Sequence, residues 1–379
     1  MKQIPYGRQS IDDEDIRAVV EVLRSDWITQ GPKIGEFEAA VARYSGAQEG
    51  VSFSSGTSAL HGAMDAAGIG PGDEVIVPPI TFVATANSVA YCGGTPVFAD
   101  VLPGTLLIDP ASVESRITNR TKAIVAVDFA GQPCDYAALR KIADRRGLIL
   151  IADSAHSLGS SLLGKPITAW TDMTIFSFHP VKHITTGEGG MVVTSDPAKA
   201  ARLRLFRNHG IEADIEMRKK KGTWHYEMVD LGFNYRLTDI QAALGLSQLR
   251  KLDSWIHARQ SIAAAYDQAF SGCLGFSPLQ KHPHLSHAYH LYVILINLEH
   301  LTKDRKTIFD EFLERGIKTN VHYFPVHLQP FYRRRFGTAE GLCPVAEAAY
   351  PRLLSLPLYP SISASEQQHV IRTVLDIFK

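Results

Sequence analysis

Five short apolar runs between residues 75 and 195 constrain this chain more than anything else in it: VIVP from Val75, AIVAVDF from Ala123, LILIADSA from Leu148, MTIFSF from Met173 and MVVT from Met191. The runs are continuous rather than alternating, so each suits a strand covered on both faces, and helix-like stretches separate them. That pattern predicts an α/β fold around a large, mostly parallel sheet. Ligands of such sheets gather at the carboxyl ends of the strands, which directs attention to the residues just after each run.

On either side the texture differs. Ile11–Leu23 opens with acids and spaces its apolar residues as a helix does. Past residue 205 a polar stretch, EADIEMRKKKGTWHYE, reads as a surface loop with Lys219–Lys221 as a solvated basic run. GFNYRLTDIQAALGLSQLRKLDSWI then carries a long amphipathic helix pattern that marks a boundary. Residues 1–250 are expected to form the large domain and 251–379 a small α+β domain, with the first dozen or so residues packing on the latter. In the small domain HLYVILIN reads as a strand and KTIFDEFLERG as a helix.

Composition removes several functions. With 39 Lys+Arg against 39 Asp+Glu the chain has no net charge, which excludes the broad basic field of a nucleic-acid binder. Cys92, Cys134, Cys273 and Cys343 lie far apart, as reduced thiols do. The polar N-terminus resembles no signal peptide and no run is long enough for a membrane helix, so a cytoplasmic protein without a membrane partner is expected. HPHLSHAYH, with histidines at 282, 284, 287 and 290, matches no structural zinc spacing, and no metal is expected.

The residues that follow the strands carry chemistry. Lys182 lies in FSFHPVKHITTGEGG after an apolar run. A lysine withdrawn from water there has a lowered pKa and serves as a Schiff-base nucleophile; in solvent it is only a surface charge. Asp153, in LILIADSAHSLGS, ends a buried strand. A carboxylate buried there needs a partner. The protonated ring nitrogen of pyridoxal phosphate (PLP) is one, and a helix N-cap is the plain alternative. His156 stands either beside that ring or as a hydrogen-bonded structural histidine. FSSGTSALHGAM runs a small-residue loop into a helix; this is either a plain Ser-Gly-Thr cap or an anion site in which Gly56 and Thr57 hold a phosphate, aided by the Ser177 hydroxyl. Phe82, in PPITFVATAN, either stacks on a cofactor ring or joins the core.

Ser-Gly-Thr, T-F-V-A-T-A-N, Asp-Ser-Ala-His and S-F-H-x-x-K-x-I-T-T-G-E-G-G occur here in that order, and in this order they resemble the sugar aminotransferases of the DegT/DnrJ/EryC1/StrS family. The resemblance runs from LRSDWITQGPKIGEFEAAVARYSGA to VHYFPVH. It implies the aspartate-aminotransferase-like architecture of PLP fold type I. It makes Lys182 the lysine that binds the cofactor's aldehyde, Asp153 the partner of the ring nitrogen, Phe82 the stacking ring and His156 the neighbour of the phenolic oxygen. Gly56, Thr57 and Ser177 would hold the phosphate, and Asn234 would reach the cofactor of a second subunit, in a homodimer with shared active sites. Substrate contacts would come from Arg236, a bidentate phosphate ligand or a loop anchor, and from Tyr6, His322, Tyr323 and His327. Family members that have histidine in place of the lysine are dehydratases, and Lys182 sets this chain apart from them. The stretches TPVFADV, RTKAIVAVDFAG, SFHPVKHITTGEGG and FRNHG are most similar to members that aminate C4 of a 4-keto-6-deoxy UDP-sugar with L-glutamate on the way to pseudaminic acid. Another 4-keto or a 3-keto nucleotide sugar, on UDP or dTDP, is the alternative substrate.

Overall fold

In the computed structural model, which describes residues 3–212 and 224–379, the apolar runs become strands of a single seven-stranded sheet. The strands are β1 (Glu49–Phe53), β2 (Glu74–Val77), β3 (Thr95–Phe98), β4 (Thr121–Val127), β5 (Ile149–Asp153), β6 (Met173–Ser177) and β7 (Gly190–Thr194). Across the sheet they lie in the order β1-β7-β6-β5-β4-β2-β3. From β3 to β6 all neighbours are parallel, while β7 runs against both β6 and β1. One strand is therefore reversed in a sheet whose other members point the same way.

Val75, Ile76, Val77, Ile124, Val125, Leu150 and Ile151 are all completely buried. Each such side chain stabilises the fold by about 1.5–3 kcal/mol relative to exposure, so these strands are the fixed part of the molecule and the loops at their ends inherit that fixity. The edge strands have a different texture, and the apolar runs did not reveal them. β3 alternates in burial and carries Pro96, which lacks an N–H and is tolerated at an edge. β1 buries Ser52, whose backbone N–H and hydroxyl both donate to Glu38 Oε1, at 2.9 and 2.7 Å.

The first helix, Asp13–Leu23, starts on Asp12, whose carboxylate caps it in a reciprocal box with Asp15. The long helix expected near residue 240 is two, Asp239–Leu249 and Leu252–Ala269. The break is tied down by Lys251 Nζ, which bonds Asp12 Oδ2 at 2.5 Å and Asp15 Oδ1 at 2.9 Å on the first helix. A second, antiparallel sheet of β8 (Phe276–Pro278), β9 (Tyr292–Ile296) and β10 (Leu353–Leu356) builds a separate core with Phe312 and Val374. Ile4 joins that core and bridges residues 316–318, donating to Gly316 O at 2.9 Å and accepting from Lys318 N at 2.8 Å. The Lys219–Lys221 run lies outside the described residues. Among those described, no helix is long and apolar enough to cross a membrane.

Candidate active site

The parallel register sets Val127 beside Asp153 and Asp153 beside Ile175, so the carboxyl ends of β4, β5 and β6 share one edge of the sheet. They open there into a cavity of about 660 Å³. Lys182 reaches it from the connection between β6 and β7. That connection is pinned by Phe178 N donating to Gly189 O at 2.9 Å and Thr186 N to Phe178 O at 3.0 Å. Nζ of Lys182 has no hydrogen-bond partner among the described residues. Burial pulls its pKa from 10.5 down to about 8, and the Asp153 charge opposes that fall.

Asp153, the last residue of β5, is 5% exposed. Its Oδ2 accepts a hydrogen bond from Thr85 Oγ1 at 2.7 Å and its Oδ1 one from Ala155 N at 3.3 Å. Thr85 in turn receives one from Thr81 Oγ1 at 2.7 Å. Burial raises the carboxyl's pKa, and the Thr85 bond, the Ala155 N–H and the Lys182 charge pull it back. Among the described residues no cation bonds this carboxylate directly, so it retains acceptor capacity toward the cavity.

Gly56 and Thr57 open the Gly56–Ala66 helix, which Ser55 and Ser58 cap reciprocally. The first N–H groups of a helix have no partner within it and carry its positive end. Ser177 stands opposite: a Cβ added to Gly56 would come within 3.0 Å of its Cβ and 3.1 Å of its Oγ. Phe82, 58% exposed, forms part of the rim. His156 Nε2 lies 3.2 Å from Tyr323 Oη, while its Nδ1 is enclosed and unpartnered. Burial and the nearby Lys182 push this imidazole's pKa well down, so the ring is neutral. Tyr6 and His322 pack with ring centroids 5.3 Å apart, and His322 Nδ1 is 2.8 Å from Ser355 Oγ. Burial and Lys182 hold His322 neutral too, at a pKa of about 3.

Three expected contacts lie elsewhere in this chain. His327 is a buried structural histidine, wedged against Phe98, with Nε2 2.8 Å from Glu347 Oε1. Asn234 pairs by backbone with Asn208, and Arg236 donates from Nη1 to Asn208 Oδ1 at 2.7 Å. Arg236 lines a different opening, of about 750 Å³, beside Arg207 and Glu38. Thr85, Glu188 and His290 were not read from the sequence as site residues, although Thr85 holds Asp153 and the other two line the cavity. Thr81 lies just before the Ala84–Tyr91 helix that carries Thr85, and their hydroxyls meet at 2.7 Å. His290 belongs to the histidine-rich segment, which was weighed only as a metal site. It packs on His156 with centroids 4.3 Å apart.

The residues present fit PLP. Lys182 offers a free amine, Asp153 an acceptor for a protonated ring nitrogen, and the Gly56 cradle bare N–H groups where a side chain would block a phosphate. A half-buried lysine beside a buried aspartate at the carboxyl edge of such a sheet fits a PLP-dependent aminotransferase of fold type I.

The chain belongs to the DegT/DnrJ/EryC1/StrS aminotransferase family, whose model matches residues 9–375. It is 41% identical to the spore coat polysaccharide biosynthesis protein SpsC of Bacillus subtilis over 378 residues, 99% of this chain and 97% of that protein. Its structure superposes with a TM-score of 0.92 on Helicobacter pylori PseC, an aminotransferase involved in the biosynthesis of pseudoaminic acid, at 36% identity, covering 100% of this chain and 99% of PseC. Spr1654 from Streptococcus pneumoniae, in its PMP form, gives a TM-score of 0.93 at 33% identity over 99% of this chain and 98% of that one.

Proposed function

We propose that the enzyme moves the amino group of L-glutamate to C4 of a 4-keto-6-deoxy UDP-sugar, yielding a 4-amino sugar nucleotide for pseudaminic acid or another surface glycan. The cavity's lining carries this reading. Beyond Lys182, Asp153 and Glu188 its polar groups are imidazoles, hydroxyls and an amide, including Tyr6, Asn320, His322 and Tyr323. Such a wall suits sugar hydroxyls. The kinship with SpsC and PseC, each named for polysaccharide or sugar-acid biosynthesis, points the same way.

PLP supplies an electron sink for the carbanion left when an α-proton departs. Lys182 moves that proton: its amine takes it from glutamate at Nζ and in the second half-reaction returns one to C4 of the sugar. Asp153 would keep a proton on the ring nitrogen, and Thr85 holds Asp153. Phe82 would stack on the cofactor ring and help exclude water, and neutral His156 would stand beside it. Gly56, Thr57 and Ser177 bind the phosphate. Lys182 is the one cation among the described residues lining the cavity, so the substrate's diphosphate needs cations from outside this wall. A second copy of the chain supplies them in this reading, through Arg236 next to Asn234. The 1–250 and 251–379 units then form the floor and one side of the site.

The decisive experiment offers the enzyme L-glutamate and a panel of 4-keto and 3-keto sugar nucleotides, with products identified by mass and NMR. Amination of a 4-keto-6-deoxy UDP-sugar is expected. Strong amination of a 3-keto sugar with none of any 4-keto sugar would overturn the substrate assignment, and full turnover by Lys182→Ala would overturn the role of the lysine.

A further inference from the structure

Asp128 follows β4, is completely buried and does not line the cavity. Its carboxylate nonetheless takes four hydrogen bonds. On Oδ2 it accepts from Ser154 Oγ at 2.7 Å and Ser157 Oγ at 2.5 Å; on Oδ1 it accepts from Tyr136 Oη at 2.8 Å and Cys134 N at 3.0 Å. Ser154 follows Asp153 in the chain, and Ser157 follows His156. Those two serines close a turn, with Ser157 N donating to Ser154 O at 3.0 Å, and Asp128 N donates to Asp153 O at 3.2 Å. One buried carboxylate thus grips both ends of the turn that presents Asp153 and His156.

The chain just past Asp128 is committed to the same job. Gly131 has φ +99°, and a Cβ there would stand 2.8 Å from both His156 O and His290 N. Its own carbonyl accepts from Ser160 Oγ and from Ala288 N, each at 3.0 Å. Residues 128–131 therefore join the turn carrying Asp153 and His156 to the segment carrying His290.

We infer that Asp128 is a positioning residue for the aminotransferase reaction: by holding Ser154 and Ser157 it fixes the turn that sets Asp153 and His156 against the cofactor. The inference rests on the reading of Asp153 given above. Oδ2 accepts from both serines and Oδ1 accepts from Tyr136 and the Cys134 N–H, so both oxygens of Asp128 are acceptors, which only the ionised form guarantees. Burial raises this carboxyl to a pKa of about 6, and the hydroxyl and amide donors keep it from rising further. The titratable groups facing it are Tyr136 and Cys134.

Asp128→Asn tests this at constant volume. The Cys134 N–H cannot turn, so the new amide oxygen must face it and the NH₂ must face the serines, which are then forced to accept. In PLP-loaded enzyme we expect kcat to fall about tenfold to a hundredfold with KM for the keto sugar within about twofold. The pH midpoint of the bound-PLP visible spectrum should move by about half a unit or more. The Ser154→Ala/Ser157→Ala double variant removes the same two donors without touching Asp128 and should shift both readouts in the same direction, whereas Ser157→Thr, which retains the hydroxyl, should match wild type. If the double variant and any folded Asp128→Asn enzyme lose thermal stability but keep wild-type kcat and spectral midpoint, Asp128 is only a core residue and the inference is wrong. A wild-type protein that binds no PLP would instead remove the reading of Asp153 beneath it, so the two failures are told apart by the wild-type spectrum.

Discussion

Lys182 can capture PLP only as a free amine, so the apo-enzyme reports the pH at which that amine loses its proton. Burial lowers the pKa from 10.5 to about 8, and Asp153 is the charge that opposes the fall. Near pH 7 about one amine in ten is then neutral, against about one in 3,000 for an ordinary lysine, a difference of ~300-fold in reactive species. Mixing apo-enzyme with excess PLP and following visible absorbance should give a rate that climbs about tenfold per pH unit and levels off near 8. Asp153→Asn removes the opposing charge, so its plateau should come at lower pH. Linkage fixes the sign for stability as well. The folded pKa lies below the unfolded one, so the unfolded chain binds the extra proton between about 8 and 10.5, and apo-enzyme stability from this group rises with pH across that window. A capture rate that keeps climbing to the range of a free lysine would refute desolvation of Lys182. A plateau that moved upward in Asp153→Asn would refute the pairing with Asp153.

Other substitutions probe the rest of the site. Gly56→Ala puts a Cβ 3.1 Å from Ser177 Oγ, inside the cradle, and should weaken PLP binding about 10- to 100-fold by fluorescence titration while leaving the apo-protein's melting little changed. Thr85→Val removes the hydroxyl that donates to Asp153 Oδ2 and should cost about 1–3 kcal/mol in urea unfolding, with weaker PLP binding; an unchanged midpoint would mean that Asp153 finds another donor. If the sites are shared between two subunits, Lys182→Ala and an inactive Asn234→Ala/Arg236→Ala variant should complement when subunits are exchanged. Random mixing would restore about one quarter of wild-type sites, and no recovery after verified exchange would count against the shared site.

Much of this was legible because burial on both faces writes continuous apolar runs, and a ligand edge lies after such runs. Lys182, Asp153, Gly56 and Ser177 come together in space as those positions suggested. Edge strands escaped notice: β3 carries Pro96 and half-buried positions, and β1 carries the serine that binds Glu38. The direction of β7 was not legible either, since MVVT reads the same in a parallel or an antiparallel neighbour. His327 looked like a pocket residue from its place in VHYFPVH, but its partner Glu347 comes from a separate helix that the local sequence does not announce. Arg236 and Asn234 lie outside this chain's cavity, and the resemblance had assigned Asn234 to the cofactor of a second subunit. Position along the chain says that a side chain is near a loop, not which opening that loop faces.

The reversed strand has a consequence for how the enzyme survives its own cycle. In the proposed reaction Lys182 would release the cofactor and recapture it in every turnover, and so would have to return to the same spot each time. Because β7 comes back antiparallel to β6, the connection bearing Lys182 both leaves from and re-enters the sheet at the ligand edge, with Phe178 N bonded to Gly189 O at its neck. A parallel β7 would have required a crossover to the far edge and left the lysine at the start of a long, one-ended excursion. The closed neck makes the amine a tethered tool, free to move at its tip and held still at its root.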